Sequence, residues 1–486
     1  MKRVKFFSVS VLFAGILFLS ACGTPDPDPV TPPPAPPTNG AAAVAPPEAE
    51  AGTLSGTLRV ASFTNEALIW ATAFRGAHPD IEIDFTEITM EGGHYQEWLF
   101  NTLVTGVDVP DVVFLEAEFI RMFVETPFLA DLSHLLPEAH AINMFPFIID
   151  AGMYQGQAKA FSWQATPGAM FYRRSLALDY FGTDDPVAIQ ALFADLDTTL
   201  DSFRTIRDLS EGRTFGTGSA NEFFRGFGAN RAQPWVVNDT LTIDPLMFEF
   251  IDFARIIEEE GLHGNANQWS ASWFQAMNDN LDDAFGNPVQ VFSYFLPSWG
   301  LTYVLMNNVP DPSEGVPTTF GDWGLIPGPV PYQWGGTWAA ATTAGNQELA
   351  AEFIRWIALN EYNQMRWATG VFDNAYLTAI DPAFPSGIGR GPGDFVSSQN
   401  VVEQISDTFV GGLAYEFLGG QNPYATFGQL APNISLALMQ GTDAAIGDQW
   451  QDAVGSYLDG ELGSVEEILA SFQAAVSVQL PHITIP

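Results

Sequence analysis

Two residue types stand where the chain could turn them into a binding surface: indoles beside turns, and carboxylates just past short apolar runs. Trp299 follows a Pro-Ser turn behind VQVFSYF, which reads as a strand. Trp334 and Trp338 flank Gly335-Gly336-Thr337, where Gly336 would let a ligand approach backbone N–H groups. Trp163 stands beside Gln164, and Trp235 and Phe223 fall in loop-rich sequence. Asn65 and Glu66 follow TLRVASF, and Glu116 and Glu118 follow DVVFL. A flat ring takes the C–H face of a sugar, and a carboxylate accepts two hydroxyl hydrogen bonds. The set suits a neutral, polyhydroxylated ligand. Asn221 is a weaker member, and Asp322 reads as part of a surface turn. Aromatics are plentiful, with 13 Trp and 39 Phe, so most belong to the core. Trp70, Trp98, Trp356 and Trp367 sit on helical spacing and are assigned there.

Other chemistries are poorly served. There is no Gly-x-Ser-x-Gly, no His-Glu-x-x-His and no phosphate loop ending in Gly-Lys-Ser/Thr. His134, Glu138 and His140 are close in sequence, but Pro137 interrupts them and no standard metal spacing results. No catalytic residue, metal or cofactor is expected. With 57 acidic residues, a carboxylate pair for glycoside cleavage stays an alternative, because only distance decides it. The formal charge is −39, from 18 basic against 57 acidic side chains. Past residue 5 the only lysine is Lys159. Nucleic acid is excluded as a partner, since phosphate binding needs clustered Lys and Arg. A polyamine or other cation is a further alternative, drawn by the acidic chain.

The elements that position these residues read clearly near the start. TLRVASF alternates as a strand, and the spacing of Leu68, Ile69, Ala73 and Phe74 predicts a helix ending before Pro79. IEIDFTEI alternates again, HYQEWLFNTLVT reads as a helix stopped by Gly106, and DVVFL is a short buried strand. The βαβαβα order implies parallel strands with ligands at their carboxyl ends. That places the candidate loops at 62–66, 91–94 and 116–118. Residues 335–342 read as a glycine turn and a small-residue strand. A long amphipathic helix then runs from 346 to about 370, with Leu349, Phe353, Trp356 and Ile357 on one face.

The amino terminus carries an address. Lys2, Arg3 and Lys5 precede an apolar run over 9–19, too short for a span of ~20 apolar residues. Leu19-Ser20-Ala21-Cys22 resembles the bacterial lipobox. The resemblance implies a signal peptide over 1–21 and a diacylglyceryl group on Cys22, the chain's single cysteine. Residues 22–55 are rich in Pro, Ala and Thr. They cannot bury a core and read as a tether, reaching on the order of 100 Å if fully extended.

Five stretches in order carry a wider resemblance: TLRVASF with AFRGAHPDIEIDF, VPDVVFLEAEFIRMFVETPFLADLSHLL, GMYQGQAKAFSWQATPGAMFYRRSLA, VQVFSYFLPSW, and WGLIPGPVPYQWGGTWAAATTAGNQELAAEFIRWI. The chain resembles the sugar-type extracellular solute-binding proteins of bacterial ATP-driven importers, the group that contains the maltose-binding protein. The resemblance implies a two-lobed type II binding-protein fold of class α/β, each lobe a mostly parallel sheet flanked by helices. It divides the chain into 56–163 plus 334–382 and 164–333 plus 383–486. The crossings between lobes would fall near 161–167, 326–335 and 381–393. It further implies a carbohydrate between the lobes, stacked on Trp299, and delivery to membrane permease subunits with a cytoplasmic ATPase. The protein would be a monomer, extracytoplasmic and anchored through Cys22.

Overall fold

The computed structural model describes residues 54–386, 394–408 and 412–486. The signal over 1–21, Cys22 and nearly all of the tether lie outside the described residues. Among the described residues no helix is long and apolar enough to cross a membrane.

The first elements are β1 (Gly56–Ser62), α1 (Glu66–Ala77), β2 (Ile81–Glu87), α2 (His94–Thr105) and β3 (Val112–Glu116). β1 lies between β2 and β3, parallel to both, with Gly56 opposite Ile81 and Val60 opposite Val112. Local chemistry sets the helix ends. The residue before Pro79 is disfavoured in helical conformation, and α1 stops there. Gly106 closes α2 in the left-handed conformation, φ 68°. β2 forms the sheet edge and carries Glu82, Asp84 and Glu87, charges that discourage pairing with another chain. β3 is buried along its whole length.

Strand Thr337–Ala341 pairs antiparallel with β3, and strand Ala160–Phe161 completes this five-stranded sheet. Ala339 stands between Phe114 and Phe161 on its two neighbours, a small side chain that makes room for two rings in one layer. Trp70 on α1 stacks on Trp367 at 4.6 Å and meets Trp163 and Trp356 edge-on at 5.8 and 5.9 Å. At ~25 cal/mol per Å² of apolar surface, each fully buried indole in this layer contributes roughly 4 kcal/mol. Lys159 is buried too, its Nζ donating to the Leu129 carbonyl at 3.0 Å.

The second region departs from the expected parallel sheet. Its central strand Gly168–Arg173 is flanked antiparallel by Ser293–Pro297 and by Trp323–Ile326. A smaller sheet joins Pro288–Val291 to Thr214–Phe215 in parallel and to Leu281–Asp282 antiparallel. VQVFSYF is therefore not one strand. It changes sheet at Phe292, whose N–H donates to Phe215 and whose carbonyl accepts from Arg173. Asp322 is not a plain surface turn, since it binds the buried Arg173 at 2.8 Å. The expected long helix also divides, into Gln347–Ala358 and Glu361–Ala368. Asn360 caps the second helix through the Asn363 N–H, while Asn363 and Gln364 side chains donate to the carbonyls of Trp356 and Ala358 that the first helix leaves unpaired at its end.

The chain leaves the five-stranded sheet through residues 162–167 and returns to it through 327–336. These segments pair with each other and with a third. Pro167 bridges Gln333, and Gln164 bridges Val396. The bonds are Trp334 N–H to Thr166 O (3.2 Å), Gly168 N–H to Tyr332 O (2.8 Å), Ala165 N–H to Phe395 O (3.2 Å) and Ser397 N–H to Trp163 O (2.8 Å). Residues 387–393, within the third expected crossing, lie outside the described residues.

Candidate functional site

The loops after β1 and β3 bring carboxylates to this crossing. After β1, the Thr64 N–H binds Ser62 Oγ and the Glu66 N–H binds Thr64 Oγ1, which turns the chain into α1. Glu66 is buried. Gln164 Nε2 donates to both of its carboxylate oxygens, at 3.2 and 3.0 Å, and the Tyr303 hydroxyl donates to Oε1 at 3.1 Å. Asn65 is half-buried, its carbonyl accepts from Leu68 and Ile69, and its side chain makes no cap bond. The 91–94 turn is mostly exposed.

Glu116 closes β3 opposite Thr337. Its Oε2 accepts from the Glu118 N–H at 2.6 Å, and the Ala117 N–H ties the loop to the Gly336 carbonyl. Burial first, and then the Glu118 carboxylate, push the Glu116 pKa upward. The Glu118 N–H and the Arg225 guanidinium oppose that rise.

Gly335 and Gly336 have φ of 73° and 104°, where any side chain is strained. Space forbids one as well. A Cβ on Gly335 would stand 2.7 Å from Trp299 Nε1 and 3.4 Å from Glu116 Oε1. The turn is fixed by Thr166 Oγ1, which donates to the Gly335 carbonyl at 2.9 Å.

Trp299 lies in Ser298–Gly300, a helical turn that runs into a π-helical segment, Leu301–Leu305, carrying Tyr303. Such segments recur at functional sites. Ser298 anchors the turn to the crossing through Pro167 O and Ala165 O. Trp299 is half-buried, and its Nε1 donates to Trp334 O at 2.9 Å. Its ring lies 5.3 Å from Trp334 and 6.5 Å from Tyr303. Trp269 lies 6.4 Å away and nearly parallel, 14° between planes. Trp269 is 52% exposed, yet its backbone is left-handed, φ 67°, a conformation that disfavours a bulky side chain. Trp273 backs it, with Nε1 donating to the buried Glu222 at 3.0 Å. Arg225 spans the two regions. Its guanidinium sits 4.2 Å over the Trp334 ring and binds Glu118 at 3.0 Å.

The structure thus gathers Glu66, Glu116, Trp299, Trp334 and Gly336 about one crossing, with Asn65 at its margin. It sends other candidates elsewhere. Trp163 is fully buried among Trp70, Phe114 and Trp367. Trp338 is fully buried too, its Nε1 held by the Ile148 carbonyl at 2.9 Å. Phe223 packs 4.4 Å from Phe295 and 4.7 Å from Phe253. None of these three rings presents a face as open as that of Trp269, whereas Trp235, 2% exposed and packed on Trp450 and Phe472, lines a cavity beside the crossing together with Trp334 and Gly335. Glu138, from the histidine-flanked stretch, is taken up by Arg355.

Sequence reasoning missed Trp269, Tyr303 and Arg225. For Arg225 a signal existed: one of few basic residues, set inside the aromatic stretch NEFFRGF. For Trp269 and Tyr303 there was none, since backbone sign and helix type decide their roles.

The fold is similar to that of several solved structures. The galacto-N-biose-/lacto-N-biose I-binding protein of an ABC transporter from Bifidobacterium longum superposes with a TM-score of 0.63 at 14% identity, covering 89% of this chain and 99% of its own. The ABC transporter binding protein of B. animalis subsp. lactis, in complex with beta-1,6-galactobiose, gives 0.60 at 17%, covering 89% and 100%. The sugar-binding protein MalE from Xanthomonas citri gives 0.62 at 15%, covering 87% and 97%. No curated protein matches the sequence. Residues 70–387 match the family model of the bacterial extracellular solute-binding proteins, and the chain belongs to that family.

Proposed function

We propose that the protein is a lipid-anchored receptor that binds a neutral carbohydrate between two lobes and hands it, unaltered, to the permease of an ATP-driven importer. The observation that carries this reading is the convergence at the crossing. Indoles and a tyrosine from one region (Trp299, Trp269, Tyr303) meet carboxyl groups from the other (Glu66, Glu116) across paired backbone segments. Rings of this kind stack on sugar C–H faces, and carboxyl oxygens accept hydroxyl hydrogen bonds. The ligands named for similar structures, lacto-N-biose and beta-1,6-galactobiose, support the same class.

The lobes are residues 56–163 plus 334–382 and 164–333 plus 383–486. The paired segments between them serve as the hinge. Ligand favours the closed form only through contacts it gains there, and a ring gripped from both lobes provides them. Cys22 holds the receptor at the membrane, with residues 23–55 as its tether. The protein acts as a monomer and performs no chemical step.

One observation favours a second reading. Glu66, Glu116 and Glu118 stand at the same crossing as the indoles, a set of carboxylates beside rings that suits a polyamine. Against it, Arg225 pairs with Glu118 and covers the Trp334 face that a cation would take. Thermal-shift measurements against sugars and polyamines separate the two. A saturable rise in Tm with a sugar supports the carbohydrate reading, and a rise with spermidine alone replaces it.

A further inference from the structure

Trp269 combines a left-handed backbone with a half-exposed ring, so what stands behind it decides where the ring lies. Trp273 holds it in two ways. The Trp273 backbone N–H donates to Ser270 Oγ at 3.2 Å, which starts the Ala271–Ala276 helix directly after Trp269. The Trp273 ring lies 5.5 Å from the Trp269 ring. Trp273 is itself fully buried, and its indole N–H ends on Glu222 Oε1 at 3.0 Å.

The other oxygen of that carboxyl group, Oε2, accepts from the Phe295 N–H at 3.0 Å. Phe295 belongs to the strand Ser293–Pro297, which runs straight into the turn carrying Trp299. One side chain therefore ties the support of Trp269 to the strand that delivers Trp299, beneath two rings that lie 6.4 Å apart and nearly parallel. The tie has no slack. A Cβ on Gly218 would stand 2.6 Å from Glu222 Oε1, 2.7 Å from the Ala266 carbonyl oxygen and 3.1 Å from Trp273 Cδ1. The Ala266 N–H donates to the Gly218 carbonyl at 2.9 Å, which holds the loop leading to Trp269 against the same carboxyl group. Apolar packing would join these elements without burying an ionisable group. What the carboxyl group adds is direction, with both oxygens engaged by N–H donors from two different elements.

We infer that Glu222 is a positioning residue for ligand binding, which fixes the Trp269 ring relative to Trp299 by way of Trp273. It touches no ligand itself. The ligand used to test this rests on the carbohydrate reading above; the tie does not.

Two variants loosen the tie. Glu222→Gln keeps the volume and sets an NH2 group against one of the two donors. Trp273→Phe keeps a ring and removes the indole N–H. Calorimetry is run with glucose, galactose, maltose, lactose, cellobiose and maltotriose, with melting curves as the folding control. Glu222→Gln should weaken the tightest sugar about fivefold, and Trp273→Phe by a similar factor. Added to Trp269→Gly, Glu222→Gln should change affinity by less than about twofold, because the ring it positions is gone. An equal loss in both backgrounds would make Glu222 a structural residue only, and no loss in folded Glu222→Gln protein overturns the inference. A second readout needs no ligand. The emission of Trp269, taken as the difference between each protein and its Trp269→Phe counterpart, should shift to the red and quench more readily with acrylamide in Glu222→Gln. Unchanged emission and quenching overturn the inference. If no sugar gives heat with wild type, the carbohydrate reading fails, and the emission of Trp269 still decides whether Glu222 positions it.

Discussion

Replacing Trp299 separates a binding ring from a packing ring. The indole is half-buried, touches Trp334, Tyr303 and Trp269, and its N–H holds the Trp334 carbonyl at 2.9 Å. Trp299→Ala removes both the stacking face and that hydrogen bond. An aromatic anchor at the centre of an interface is worth about 2 kcal/mol or more, which corresponds to a loss in affinity of about 30-fold. The hydrogen bond lies within the protein, free and bound alike, so its contribution of about 1 kcal/mol falls on stability. Trp299→Phe keeps a ring and loses only the N–H, so its affinity should fall by less than about fivefold. The assay is calorimetry with the tightest sugar of the panel, well below the melting temperature of each variant. The comparison matters because a half-buried indole also supports the fold, and Trp299→Ala should melt earlier. If folded Trp299→Ala binds within twofold of wild type, the ring does not touch ligand and the placement of the site at this crossing is wrong.

Three further outcomes follow from particular residues. Trp269→Gly relieves a left-handed backbone that disfavours a side chain, so its Tm should hold or rise while affinity falls about tenfold; a parallel loss of both would make Trp269 a packing residue. Burial pushes the Glu222 pKa up to about 8. From about pH 4.5 to about 8 the unfolded chain releases this proton while the native chain keeps it, so stability is full below that window and falls as pH rises through it, by up to about 5 kcal/mol. Urea unfolding at pH 5 and pH 8 should show a smaller loss in Glu222→Gln than in wild type, and equal losses would contradict the assignment. Cys22→Ala should release the protein from membranes into the aqueous phase of a detergent partition, whereas continued membrane retention would rule out the lipid anchor.

The first sheet was legible because its strands alternate or are short and apolar, and its helices carry their own stops at Pro79 and Gly106. The second was not. Residues 291–298 are buried on every side, so no alternation marks the change of sheet at Phe292. Asn360 looks like one more polar residue in a helix until its side chain is seen capping the next one. In the site, Glu66 and Glu116 were found because parallel strands deliver their carboxyl ends to one edge. Trp163 and Trp338 stand at expected crossings and Trp299 after a Pro-Ser turn, but position in sequence does not say which way a ring points. Trp163 turns into the α1 layer and Trp338 toward Ile148, and only Trp299 stays at the crossing. Trp269 escaped notice because its distinction is a backbone angle.

Calorimetry of the wild-type protein against the sugar panel, followed by mass spectrometry of the recovered ligand, tests the receptor reading most directly. We predict saturable binding of one sugar molecule per chain and recovery of that sugar intact. Conversion beyond one equivalent would make the protein an enzyme, and binding of polyamines without any sugar would make the cleft a cation site.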